Sequence, residues 1–149
     1  MEKRENLSNF IKRDNSKNKN APSSAYVMAS WLALITGILT YLIGLYNAKM
    51  QLNEKGYYFT LLLYGLFAAV SLQKVVRDRD DGLPITNIYY GLCWISLGFA
   101  ILLMSVGLFN AGSIIRSEKG FYAMTFILSI FSAITVQKNV RDIENSKNQ

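Results

Sequence analysis

The chain has 149 residues, 51% of them hydrophobic, a formal net charge of +6 and no histidine. Without histidine it lacks the commonest general base, proton shuttle and metal ligand, and its single cysteine, Cys93, can form no intrachain disulfide. A pI near 9.5 would suggest nucleic acid as the partner of a soluble protein, but here the charges are confined to a few short segments.

Residues 1–25 are polar, rich in Asn, Lys and Ser, and hold no apolar run long enough for a signal-peptide core. They are expected to form a retained cytoplasmic head without fixed structure. Leu7, Phe10 and Ile11 fall at helical spacing among Lys3, Arg4, Lys12 and Arg13. That pattern would suit a short amphipathic turn on an anionic lipid surface, although a solvated tail is the simpler expectation for one turn of apolar residues.

No Asp, Glu, Lys or Arg occurs between Tyr26 and Tyr46, Tyr57 and Gln73, Leu83 and Ile115, or Gly120 and Gln137. The 21 residues of the first block would span roughly 31 Å as a helix at about 1.5 Å per residue, close to the hydrocarbon thickness of a bilayer. A soluble bundle would show a charged stripe on each helix, and these blocks show none. The mean hydropathy of +0.18 is low only because polar ends are averaged in. The predicted class is an all-α membrane protein with spans at about 26–46, 57–75, 89–109 and 120–138. Cys93 lies inside a span and is read as a small buried residue.

The two halves repeat. A shift of 63 pairs Tyr26, Trp31, Gly44, Leu45, Asn47 and Ala48 with Tyr89, Trp94, Gly107, Leu108, Asn110 and Ala111. A shift of 64 then pairs Glu54, Lys55, Gly56 and Tyr58 with Glu118, Lys119, Gly120 and Tyr122, and Gln73, Lys74, Arg77 and Asp78 with Gln137, Lys138, Arg141 and Asp142. Shared polar letters in one order mark a duplication. The organisation is thus a head (1–25), a first two-helix repeat (26–78), a cytoplasmic connection (79–88), a second repeat (89–142) and a cytoplasmic tail (143–149). Each repeat crosses twice, so the hairpins are parallel copies related by an axis along the membrane normal. The loops differ locally, Lys49, Met50 and Gln51 standing where the second copy has Gly112, Ser113 and Ile114. A task needing two equivalent loops is therefore not expected.

Pro22 with Ser23 or Ser24, and Pro84 with Thr86 or Asn87, mark the starts of the first and third spans. Asn53 and Ser117, each followed by Glu, are the expected N-caps of the second and fourth. Twelve Lys and Arg lie in the head, connection and tail against four in the other two loops, which predicts cytoplasmic termini and outward Glu-Lys-Gly loops. Small residues recur four apart at Ala29, Ala33 and Gly37, at Ser96 and Ala100, at Gly65 and Ala69, and at Ser129 and Ala133. Such stripes let membrane helices approach closely, and their repetition predicts one interface used twice.

Gly-Leu-aromatic-Asn-Ala at 44–48 and 107–111, Glu-Lys-Gly at Glu54 and Glu118, and Gln-Lys before Arg-Asp together resemble the YiaA/YiaB family of small bacterial inner-membrane proteins. The resemblance covers residues 24–143, and the runs 51–58 and 137–142 lie nearest its YiaA members. It implies a bacterial inner-membrane location and a duplicated two-helix domain, and it brings no mechanism.

No catalytic, cofactor-binding or metal-binding residue is expected. Two candidate motifs remain: an outer-loop set (Asn47, Glu54, Lys55, Gly56, Asn110, Glu118, Lys119, Gly120) and an inner-face set (Gln73, Lys74, Arg77, Asp78, Gln137, Lys138, Arg141, Asp142). The glutamines suit phosphate headgroups or neighbouring helix ends, and the arginines suit Asp78, Asp142 or anionic lipid; against this, basic residues at inner helix ends most often act as topological anchors. The expected partners are the lipid bilayer, anionic headgroups or another membrane protein, and a homo-oligomer, with no nucleic acid. The leading function is non-enzymatic contact with other membrane components. The alternative is a small transporter or channel subunit for a neutral solute, since no polar or ionisable group at mid-membrane depth is ionised.

Overall fold

The computed structural model describes residues 1–148, and the side chains of 12–20 and 148, among them Lys12 and Arg13, lie outside the description. Five helices follow in order: α1 (Glu2–Asn20), α2 (Ser24–Asn47), α3 (Leu52–Asp80), α4 (Asn87–Asn110) and α5 (Arg116–Asn148), with no strand among the described residues. The last four are each long and apolar enough to cross a membrane. Where the sequence suggested an unstructured head, residues 2–20 are helical. The segment has no Pro or Gly to break a helix, Glu2 and Glu5 suit its positive end, and Pro22 stops it. Leu7, Phe10 and Ile11 are exposed on it.

The backbone ends are closed the same way in both copies. The Tyr26 N–H donates to Ser23 Oγ (3.3 Å), and the Tyr89 N–H donates to Thr86 Oγ1 (3.4 Å). The expected caps at Asn53 and Ser117 are displaced. α3 starts after Gln51 and α5 after Ile115, because the glutamates themselves do the capping from the third helical position. Glu54 Oε2 accepts from the Gln51 N–H (3.1 Å), and Glu118 Oε2 accepts from the Ile115 N–H (2.9 Å). α3 ends in a Schellman turn, with Leu83 N–H on the Asp78 carbonyl and Gly82 N–H on that of Arg79. Gly82 sits at φ +76°, a conformation that favours glycine.

Packing is crosswise. α2 lies chiefly on α5 and α4 on α3, α3 and α5 meet in the centre, and the two helices of one hairpin touch each other only slightly. The same repeat positions are buried in both copies: Ser30, Gly37, Tyr41 and Leu45 on α2 correspond to Cys93, Ala100, Met104 and Leu108 on α4. On the central helices Tyr58, Leu62, Ala69 and Leu72 correspond to Tyr122, Phe126, Ala133 and Val136. A pseudo-two-fold axis therefore runs between α3 and α5. Large apolar residues such as Leu32, Ile35, Leu39, Ile95, Phe99 and Leu102 face outward, as a lipid environment requires.

The small residues act at the crosswise contacts. A Cβ on Gly37 would lie 2.8 Å from Ser129 Oγ and 3.2 Å from its backbone nitrogen, so α2 and α5 approach backbone to backbone. Ser129 turns its hydroxyl onto the Thr125 carbonyl (2.8 Å), leaving no polar group unpaired there. Ala29 is exposed, so the contact face of α2 begins at Ser30 and not at the predicted Ala29. Gly44 is covered by Phe121 and Gly107 by Tyr57, again equivalent residues.

This arrangement predicts that Gly37→Cys with Ser129→Cys, in a Cys93→Ser background, forms an intramolecular cross-link in membranes. Gel mobility after oxidation and cleavage between α3 and α4 reads the result. Separation of the two fragments would sink the crosswise model.

Candidate functional site

The outer motif is built at the loop between the helices of each hairpin. Glu54 satisfies the Gln51 N–H, and Lys55 Nζ donates to the Tyr46 carbonyl at the end of α2 (2.7 Å). Lys119 reaches the Phe109 carbonyl at the end of α4 in the same manner (3.3 Å). One acid thus serves a free donor at the start of a helix, and its neighbour serves a free acceptor at the end of the preceding one. Ser113 also donates to Glu54 Oε2 (3.3 Å), which ties the second loop to the first. Asn47 donates to the Ile43 carbonyl (2.8 Å), whereas Asn110 borders an open cleft of about 260 Å³ with Glu54, Tyr57 and Tyr58. Nothing in the structure explains Gly56 or Gly120, where a Cβ would meet open space.

The inner motif closes the opposite end. Arg77 Nη2 bonds Asp142 Oδ1 (2.6 Å), and Arg141 Nη2 bonds Asp78 Oδ1, the same contact made in the reverse direction across the axis. Lys74 supports Asp78 (2.6 Å) and Lys138 supports Asp142 (2.7 Å), each one turn away on the same helix. Asp81 adds longer contacts to Arg77 (3.9 Å) and Arg141 (3.8 Å). Gln73 and Gln137 are half-buried one turn before the arginines.

Both aspartates lie beyond the uncharged spans. Hydrogen bonds from Lys74 and Arg141 hold the Asp78 carboxyl below the ordinary carboxylate range. Burial pushes Asp142 upward, but hydrogen bonds from Lys138 and Arg77 outweigh it and hold that group low as well. A carboxyl whose folded value lies below its unfolded one stabilises fully above about pH 4, and loses that contribution as pH falls through the lowered value.

Two features escaped the sequence motifs. Near the outer end the Tyr58 and Tyr122 rings stack across the axis (6.1 Å, 16°), and Tyr41, fully buried, packs edge-on to Tyr122 and donates to the Tyr58 carbonyl (2.9 Å). Near the Arg-Asp end Asn139, fully buried, donates to Ser30 Oγ (3.1 Å), while its Oδ1 has no hydrogen-bond partner among the described residues. The corresponding pair in the other copy is Cys93 and Val75, both apolar and both buried. Comparing the copies position by position would have singled out Asn139, since it stands where the first copy has Val75.

The repeated unit therefore has its outer clasp, its inner cross-pair and its buried face in matching places. Residues 26–78 and 89–142 both match the family model described as the yiaA/B two helix domain. The chain belongs to the YiaA/B two-helix family. It is 55% identical over 120 residues to the inner membrane protein YiaA of Escherichia coli strain K12, covering 80% of this chain and 82% of that protein. It is 36% identical over 58 residues to YubF of Bacillus subtilis strain 168, an uncharacterised membrane protein, covering 38% of this chain and 67% of that one. No solved structure matches. With four candidate spans and this membership, the chain is an integral, multi-pass membrane protein of unassigned molecular activity.

Removing one partner of a half-buried charged hydrogen bond costs about 1–3 kcal/mol. Arg77→Ala should therefore lower the melting temperature in detergent, and Arg77→Asp combined with Asp142→Arg should recover part of the loss. The fall in melting temperature on acidification below about pH 4 should be shallower in the Asp78→Asn, Asp142→Asn double variant. Equal slopes in wild type and variant would remove these pairs from the acid response. Glu54→Ala and Glu118→Ala should each cost about 0.5–2 kcal/mol, the range for loss of a helix cap, measured the same way.

Proposed function

We propose that this chain is a non-catalytic protein of the bacterial inner membrane, with both termini in the cytoplasm, that acts through contacts of its ends and outward faces with other membrane components. The observation that carries this proposal is that every charged side chain of the two repeated motifs already has a partner within the chain. An acid–base catalyst needs a group free to exchange a proton with substrate, and a carboxylate committed to a helix cap or a guanidinium is poorly placed for that. The outward surface is where unengaged chemistry remains. Inner-membrane location is supported by the relative from Escherichia coli, and orientation by the excess of Lys and Arg at the inner end.

One observation favours a transporter or channel subunit for a neutral solute instead: the buried Ser30–Asn139 pair with its unpartnered Oδ1. Polar groups buried among membrane helices often mark pathways, yet a single interhelical hydrogen bond is also a common packing device.

Alkaline phosphatase fused after Lys55 should be active, and fused after Gly82 inactive; the opposite pattern would invert the orientation. A photoreactive residue at Tyr46 or Phe109, both strongly exposed, should give a discrete adduct with one membrane component. Solute flux through vesicles carrying the purified protein, abolished by Asn139→Val, would replace the contact proposal with the transporter.

A further inference from the structure

Between α2 and α3, where the helices of the first hairpin diverge, lies an open cleft of about 430 Å³. Trp31 and Leu34 form one wall and Val70 the other, α5 supplies the floor through Ala133 and Val136, and Gln137, Arg141 and Glu144 stand at the mouth. From Arg141 to Ala133 the cleft runs roughly 12 Å along α5 at about 1.5 Å per residue, most of the way from the basic helix ends to mid-bilayer.

The equivalent positions of the second hairpin are Trp94, Leu97, Ile134, Ala69 and Leu72, with Gln73 and Arg77 at the mouth. There the larger Ile134 stands for Val70 and the larger Leu72 for Val136. Ile134 and Leu97 pack on the main core, while Leu72 and its counterpart Val136 are equally buried, at 6% and 7% exposed. Val70, by contrast, is 36% exposed. Ile134 is drawn onto the core, whereas its counterpart Val70 stands exposed on the cleft wall.

We propose that this cleft binds one phospholipid, an acyl chain lying between Trp31, Leu34, Val70 and Val136, and the phosphodiester held by Gln137 and Arg141. The assignment rests on the contact function proposed above and names one of its partners. An apolar groove within the hydrocarbon cannot be satisfied by water, and a second helix, about 10 Å across, does not fit a space of this volume. The mouth carries the matching chemistry. Arg141 commits one nitrogen to Asp78 and, with five N–H donors, has others for a phosphate oxygen, to which the Gln137 amide can add one. Asp78 and Glu144 nearby offset the positive charge, so the phosphodiester itself, shared by zwitterionic and anionic lipids, is the group recognised.

The test is native mass spectrometry of the full chain released from dodecyl maltoside after incubation with palmitoyl-oleoyl phosphatidylethanolamine, the matching phosphatidylglycerol, or dioleoylglycerol. Wild type should retain one phospholipid per chain from either phospholipid and bind the diacylglycerol about tenfold more weakly, the loss of one charged hydrogen bond. Val70→Ile with Val136→Leu, which installs the larger residues of the second copy, should weaken retention about tenfold or more without lowering the melting temperature. Gln137→Leu should narrow the preference for phospholipid over diacylglycerol. Ile134→Val with Leu72→Val should create a second retained lipid, a gain that unfolding cannot mimic.

Undiminished retention in the filled variant, or equal binding of diacylglycerol and phospholipid, would overturn the assignment. If wild type retains no lipid while the photoreactive adduct described above still forms, the lipid site fails alone and the contact function stands.

Discussion

Adjacent residues on a helix point about 100° apart, so the Arg and Asp of an Arg-Asp pair cannot satisfy each other. At the edge of a bilayer neither can be left half-buried and unpaired without cost. Each pair here is completed by the other copy, Arg77 with Asp142 and Arg141 with Asp78. That reciprocity brings α3 and α5 together with a two-fold relation, and the rest of the bundle follows from it. Once α3 and α5 lie on the axis, α2 can reach α5 and α4 can reach α3, and each hairpin is held mainly by its opposite number.

A contact in which residue i meets residue j and j meets i is the signature of a symmetric dimer. A single two-helix unit would meet the same requirement by pairing with a second copy of itself, so duplication within one chain joins what a dimer would hold side by side. Joining also frees the copies to differ. Ser30 and Asn139 are polar where Cys93 and Val75 are apolar, and Val70 and Val136 line a cleft at positions where the second copy has the larger Ile134 and Leu72. Symmetry supplies the frame, and function can be sought where the symmetry fails.

The class, the four spans and the duplication were legible because charge is excluded from hydrocarbon and because shared polar letters are improbable by chance. The starts of α2 and α4 followed from Ser23 and Thr86. The starts of α3 and α5 did not, since a glutamate at the third helical position can cap as well as an Asn or Ser before the helix, and Glu54 and Glu118 do so. Crosswise pairing was illegible for a different reason. In lipid the inner and outer faces of a helix are both apolar, so hydropathy does not reveal which face meets a neighbour, and only small residues such as Gly37 hint at it. The motif residues stood out by repetition, and Asp142 was among the partners open to Arg77, sixty-five residues ahead; the carbonyl nine residues back on which Lys55 acts left no mark in the sequence.

The crosswise arrangement also bears on how the protein is made. Chains emerge N-terminus first. The principal neighbour of α2, the first of the four spans, is α5, which is synthesised after the other three. Until α5 arrives, Gly37 and Ser30 face lipid, and Arg77 and Asp78 have no opposite number. The first hairpin thus enters the bilayer as an incomplete surface, and the nascent chain must remain laterally mobile, or be escorted, until α5 closes the ring of contacts.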